Sequence, residues 1–170
     1  MDVLEAIRQR RSCRSYQDQP VPEEHLLAIL EAGRLAPSAG NRQPWHFVVA
    51  RDPAPRQALA QACNGQTWLA SAGAIIAGVG KPAVSDKWHR VDVAIALENM
   101  VLAATALGYG TCWIGAFDQE QVRAVLGLPA ELEVLALTPV GVPAEPSEPR
   151  PRMPLGEFAS YERYGRPAGS

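Results

Sequence analysis

The stretch from Val91 to Leu107 constrains the fold of this chain more than any other. Its apolar positions, Val91, Ala94, Ile95, Leu97, Val101, Leu102, Ala104 and Ala106, surround most of a helix instead of marking one face. Such a helix has little surface suited to water, so it belongs at the centre of a core or against another subunit. Asp92, Glu98 and Asn99 interrupt it and Gly108 closes it as a C-cap, which predicts a buried helix and not a membrane span. A second run, Ala74-Ile75-Ile76-Ala77-Gly78-Val79, is short and continuously apolar, the pattern of a strand covered on both faces.

The other elements follow from spacing and punctuation. Val3, Leu4 and Ile7 have helical spacing and predict a short first helix that ends at the cluster Arg10 to Arg14. Pro20 and Pro22 break the chain. Pro22 followed by Glu23 and Glu24 opens a second helix, whose expected apolar face is Leu26, Leu27 and Leu30. Phe47–Ala50 reads as a strand, the run between Arg56 and Cys63 as a helix, and Cys112-Trp113-Ile114 as a third strand. Gln119 to Leu126 predicts a helix stopped by Gly127, and Leu132 to Val142 a last strand. This alternation predicts a mixed central sheet flanked by helices, in one domain spanning residues 1–170. From Pro143 onward prolines force the tail, 143–170, to run extended, and it needs a surface to lie on.

Composition excludes more than it assigns. Lys and Arg number 16 against 18 Asp and Glu, so no global field points to nucleic acid or to a membrane surface. Cys13, Cys63 and Cys112 are odd in number and form no CxxC pair, which argues against a disulfide framework and a zinc site and makes a reducing cytoplasm the simplest home. The opening residues, with Glu5, Arg8, Arg10 and Arg11, do not read as a signal peptide. His25, His46 and His89 lie on separate segments and give no metal spacing. Neither a nucleophile triad nor a GxGxxG dinucleotide fingerprint is visible.

Two segments carry the chemistry. Arg10-Arg11-Ser12-Cys13-Arg14 packs three guanidiniums and a hydroxyl into five residues, and planar guanidinium forks fit phosphate oxygens. The plainer reading is a solvated helix end, where cations favour the C-terminal dipole. Pro37-Ser38-Ala39-Gly40-Asn41-Arg42-Gln43-Pro44-Trp45 is a turn whose backbone and side-chain amides suit the edge of a flat heterocycle. Asn41 and Gln43 also read as ordinary turn residues, and Trp45 as a core aromatic at the start of a strand. Taken together the segments suggest a ring cofactor that bears a phosphate.

Their order and spacing resemble the flavin-binding signature of the nitroreductase family. Two further segments join them: Gly110-Thr111-Cys112-Trp113-Ile114-Gly115-Ala116-Phe117, and the pair Arg150 and Arg152 in the Pro-rich stretch. The resemblance covers nearly the whole chain. It implies an α+β, nitroreductase-fold homodimer with FMN, a tail that packs on the partner subunit, and no catalytic side chain, since the flavin does the chemistry. By this resemblance Arg10, Arg11 and Ser12 face the phosphate and ribityl chain, and Arg14 the pyrimidine edge. Pro37, Ser38, Ala39, Asn41 and Gln43 belong to a loop that covers the partner's flavin. A backbone amide of Ile114 or Gly115 meets the ring nitrogen that accepts hydride, although Gly115 also reads as a strand-ending glycine. Arg150 and Arg152 close over the phosphate, or else belong to a solvated tail.

The implied activity is electron transfer from NAD(P)H through FMN to a small electron-poor acceptor, a nitroaromatic or quinone, by a ping-pong scheme. Enone reduction, dehalogenation, dehydrogenation in a specialised pathway and a non-catalytic flavin-binding or sensing module remain alternatives. Larger relatives carry a helical excursion where this chain has the short stretch Lys81 to Arg90, so a more open pocket is expected.

Overall fold

The computed structural model describes residues 1–166, and among these it forms six α-helices, two short 3-10 helices (Ala39–Asn41 and Thr67–Ser71) and four strands. Helix α1 (Val3–Gln9) starts where Asp2 Oδ1 accepts the Glu5 N–H at 2.9 Å and stops at Arg10. It packs on α4, yet Val3, Leu4 and Ile7 remain more than half exposed. Helix α2 (Glu23–Arg34) follows Pro22 and buries Leu26, Ile29 and Gly33. Leu27, expected on that face, is instead exposed, because the helix meets its neighbour one residue further round, along Leu26, Ile29, Leu30 and Gly33. A Cβ at Gly33 would lie 2.0 Å from the Met100 side chain, so glycine permits the close approach of α2 to α4.

The chain continues through β1 (Trp45–Ala50), α3 (Pro53–Ala62), β2 (Ala74–Gly80), α4 (His89–Ala106), β3 (Gly110–Thr111), α5 (Gln119–Leu126), β4 (Glu133–Gly141) and α6 (Leu155–Phe158). The sheet order is β1-β2-β4-β3, and each neighbouring pair of these strands is antiparallel. Among the described residues the parallel element of the expected mixed sheet is a single bridge, Ser12 to Thr111, at the β3 edge. The third strand lies at Gly110–Thr111, two residues before the predicted Cys112-Trp113-Ile114. Ile114 pairs with Leu137 as an isolated bridge, so the chain bends away from β4 between the two contacts.

Every residue of β2 is buried, and alternate side chains enter two separate cores. Ile75, Ala77 and Val79 join Leu59, Leu69, Val122 and Leu137 beneath α3 and α5. Ala74 and Ile76 join Leu26, Ile29, Val93, Leu97 and Met100 beneath α2 and α4. This two-sided cover is what the unbroken apolar run requires. Helix α4 touches α1, α2 and all four strands, and Leu107, Gly108 (φ 88°) and Tyr109 close its C-terminus. It meets solvent with apolar groups at Val91, Ile95 and Ala106. No helix among the described residues is long and apolar enough to cross a membrane.

Candidate cofactor site

The end of α1 decides where the arginine cluster sits. After Arg10 the chain becomes extended and lies along β3, with the Cys13 N–H donating to Thr111 O at 2.8 Å. A Cβ at Gly110 would come within 2.6 Å of Cys13 Cβ, so glycine lets the two segments touch. Side chains of an extended run alternate, and here Cys13 is buried while Ser12 and Arg14 are exposed. The Tyr16 hydroxyl donates to Cys13 O at 2.8 Å and its ring stacks on Trp68, with centroids 6.3 Å apart. Burial drives the Tyr16 phenol far above its usual value, so it stays a neutral donor.

The first stretch of the tail forms the facing wall. Ala144 N–H donates to Ser15 O at 3.0 Å and Gln17 N–H to Val142 O at 2.9 Å, which fixes the tail on the chain's own N-terminal segment. Beyond that, Ser147 to Arg152 face Arg10, Arg11, Ser12 and Arg14 across a cavity of about 370 Å³. Arg150 and Arg152 therefore share one cavity with Arg10, Arg11 and Arg14. The guanidiniums are not equivalent. Arg11 Nη1 donates to the carbonyls of Arg8 at 2.5 Å and Arg10 at 2.9 Å, closing the C-terminus of α1, and Arg152 Nη1 donates weakly to Arg150 O and Pro151 O. Those of Arg10, Arg14 and Arg150 have no hydrogen bond or ion pair among the described residues.

Burial raises the thiol of Cys112, the residue after β3, and the charges of Arg14 and Arg10 oppose that rise. Unpaired like charges repel, so an anion with several oxygens is what this arrangement stabilises.

The segment from Thr111 leads away from the groove. Ile114 N–H donates to Leu137 O at 2.9 Å, and Ile114 O accepts from Leu137 N–H at 3.0 Å. Its backbone is thus fully occupied. The Gly115 N–H has no acceptor among the described residues, and a Cβ there would meet nothing within 4 Å. Of the expected pair only Gly115 has an amide free to meet a ring, and four residues of extended chain place it at most about 14 Å from Thr111.

The loop from Pro37 to Gln43 is elsewhere. Gly40, Asn41 and Gln43 have φ of 58°, 54° and 50°, so two non-glycine residues sit in the left-handed region. The Ser38 hydroxyl accepts the Gln43 N–H at 2.9 Å, Gln43 Nε2 reaches Asn41 Oδ1 at 3.2 Å, and the Ala39 N–H donates to Asp92 Oδ1 at 3.2 Å. Pro37 is exposed, and Trp45 is a half-buried core aromatic. Asp92 lies in the first turn of α4, whereas Thr105, in its last turn, shares a small cavity with Arg11 and Gly110. Thirteen helical residues separate these positions by about 20 Å. One chain therefore holds the loop and the arginine groove at opposite ends of α4.

The stretch Lys81 to Arg90 is short, as expected, and tied down. His89 Nδ1 meets Ser85 O at 2.8 Å and Asp86 O at 2.9 Å, its Nε2 meets Glu133 at 2.9 Å, and Arg90 pairs with the same carboxylate at 2.8 Å. Burial disfavours charge on His89, but the bonds to Glu133 and the two carbonyls outweigh it and hold the ring above the usual histidine value. His46 is exposed, and His25 meets the Tyr109 hydroxyl at 2.6 Å. A larger cavity of about 460 Å³ lies by Asp18, Arg51, Asp52 and Arg56, and none of the four sequence segments lines it. Its cations are occupied: Arg51 pairs with Glu23, and Arg56 donates to the carbonyls of Ala70 and Ala72.

Asp92 and the Ser147–Pro149 wall were not legible as site residues. The signal available for Asp92 was an acid in a largely apolar helix, one it shares with Glu98. Comparison with known proteins bears on the whole chain. The model of the nitroreductase family matches residues 7–76 and 64–142. A Thermus thermophilus protein named NADH dehydrogenase is 34% identical over 192 residues, covering 91% of this chain and 93% of its own. FMN reductase [NAD(P)H] of Bacillus subtilis is 29% identical, over 96% of this chain and 74% of that protein. The crystal structure of a nitroreductase family protein from Clostridium novyi superimposes with a TM-score of 0.81 at 31% identity, covering 99% of this chain and 97% of the other.

Proposed function

Because this chain belongs to the nitroreductase family, we propose that it is an NAD(P)H-dependent oxidoreductase holding FMN between its arginine groove and the Gly115 amide. The observation that carries this reading is the set of three guanidiniums, Arg10, Arg14 and Arg150, that have no partner among the described residues and line one cavity with Ser12. That donor set fits a terminal phosphate. When bound, FMN supplies the transfer of electrons from a nicotinamide to an electron-poor acceptor such as a nitroaromatic or quinone.

The residues do the rest. Arg10, Arg150 and Ser12 bind the phosphate, and Arg14 holds a fixed cation toward the ring, where it stabilises negative charge. Gly115 donates its free N–H to the ring edge without a side chain in the way. The short, anchored Lys81–Arg90 stretch leaves donor and acceptor one open surface to use in turn, so ping-pong kinetics and weak selectivity among flat acceptors are expected.

The proposed assembly is a homodimer. A two-fold axis across the middle of α4 brings the Pro37–Gln43 loop at one end of the helix to the partner's arginine groove at the other. The exposed Val91 and Ile95 of α4, Val3, Leu4 and Ile7 of α1, and Leu155 and Phe158 of the tail supply the apolar surface such an interface covers.

Titration of the apoprotein with FMN, riboflavin and FAD, read by flavin fluorescence, tests the site. FMN is expected to bind about tenfold to a hundredfold more tightly than riboflavin, the worth of one charge-assisted hydrogen bond or more. Equal affinity for the two would remove the phosphate site.

A further inference from the structure

Helix α4 is apolar around most of its surface, yet it buries one carboxylate. Asp92 is 2% exposed, and its Oδ1 accepts the Ala39 N–H at 3.2 Å. Its Oδ2 is also buried and has no donor among the described residues. A buried acceptor without a donor is costly, and an apolar residue would fill the same space without that penalty. The loop that Asp92 holds is itself in a costly conformation, with Asn41 and Gln43 both at positive φ. Such backbone persists only where its surroundings over-determine it. The Ser38–Gln43 bond closes the loop on itself, whereas the Asp92–Ala39 bond is the side-chain tether from the loop backbone to a core helix.

We propose that Asp92 is a positioning residue: through the Ala39 N–H it fixes the Ser38–Gln43 loop in the shape that meets the flavin ring. The inference rests on the flavin reading above and adds a residue that touches neither ring nor phosphate. A simpler role for an acid in the first turn of α4 is to complement the helix dipole. The two roles separate by experiment, because a dipole partner affects stability and a loop anchor affects ring binding.

The test measures affinity for FMN and riboflavin, and melting without flavin, in the full-length protein and three variants. Asp92→Ala removes the acceptor. Ala39→Pro removes the donor at the first position of a 3-10 turn, where proline fits. Asp92→Asn keeps an acceptor oxygen. Asp92→Ala and Ala39→Pro are each expected to weaken both flavins by the same factor, about tenfold, while Asp92→Asn stays within about threefold of the unaltered protein. The FMN-to-riboflavin ratio is expected to hold in all three, since the phosphate contacts are untouched.

Unchanged affinities in Asp92→Ala and Ala39→Pro, whatever happens to melting, overturn the anchor and leave the flavin site standing. So does a loss in Asp92→Asn as large as in Asp92→Ala, or a change in the ratio. If Asp92→Ala does not fold, Ala39→Pro decides alone, because it breaks the same bond from the other side. Failure of the unaltered protein to bind either flavin overturns both readings.

Discussion

Two basic clusters lie at different places in this molecule, and they differ in what their donors do. Around Glu133, His89 uses both ring nitrogens and Arg90 reaches the same carboxylate, so the cations there are satisfied. In the groove between α1 and the tail, Arg10, Arg14 and Arg150 point at one cavity with no partner among the described residues. The first cluster is complete within the fold and holds the start of α4 to β4. The second is left unpaired by the described residues of the fold. The lesson is that counting basic residues does not locate a binding site, whereas asking which of their donors remain unused does.

The largest effect expected from this contrast is at Arg10. Arg10→Ala is expected to lower FMN affinity about tenfold to a hundredfold and riboflavin affinity far less, since a charge-assisted bond to phosphate is lost. Melting without flavin is expected to stay unchanged or to rise slightly as repulsion is relieved. A loss equal for both flavins would place Arg10 away from the phosphate.

Glu133→Gln probes the satisfied cluster and is expected to show the opposite pattern. It leaves the buried His89 ring without its anionic partner, which costs about 1–3 kcal/mol of stability, and leaves flavin affinity unchanged. The pH dependence carries the sign. His89 is raised in the folded state, so its contribution is full below the unfolded histidine value and is lost as pH rises through the folded one. For Glu133, burial raises the carboxyl but His89 and Arg90 lower it further, so its contribution is present above the unfolded value and is lost as pH falls through the folded one. Urea midpoints across pH should therefore show a plateau between these limits, and Glu133→Gln should flatten both shoulders. An identical pH profile in the variant would mean the cluster is not coupled.

The smallest effect is expected at Arg11, beside Arg10 in sequence but engaged with the carbonyls that end α1. Arg11→Ala is expected to change FMN affinity by less than about threefold and to destabilise by roughly 0.5 kcal/mol, the scale of an exposed helix-end interaction. Fluorescence titration and melting check both. If Arg11→Ala instead matched Arg10→Ala, the division between occupied and unoccupied donors would fail.

Much of the scaffold was written in local pattern. The apolar circumference of Val91 to Leu107 required a central helix, the unbroken run Ala74 to Val79 required a strand covered on both faces, and Pro22 and Gly127 marked helix ends, because these signals act within a few residues. The arginine cluster, the Pro-Ser-Gly-Asn loop and the Ile114-Gly115 pair were equally visible as segments. Their arrangement was not. The third strand sits at Gly110–Thr111 because Cys13 packs against Gly110 from ninety-odd residues away in sequence, and Leu27 faces water because α2 met α4 along a different line. That Gly115 rather than Ile114 keeps a free amide depends on the register of β4, and that the loop and the groove lie at opposite ends of α4 depends on which turn of that helix holds Ala39. Sequence by itself determined which residues had donors to offer and which faces had to be buried. Only the tertiary structure decided which donors were left over, because a donor is occupied or free according to partners that long-range packing brings to it.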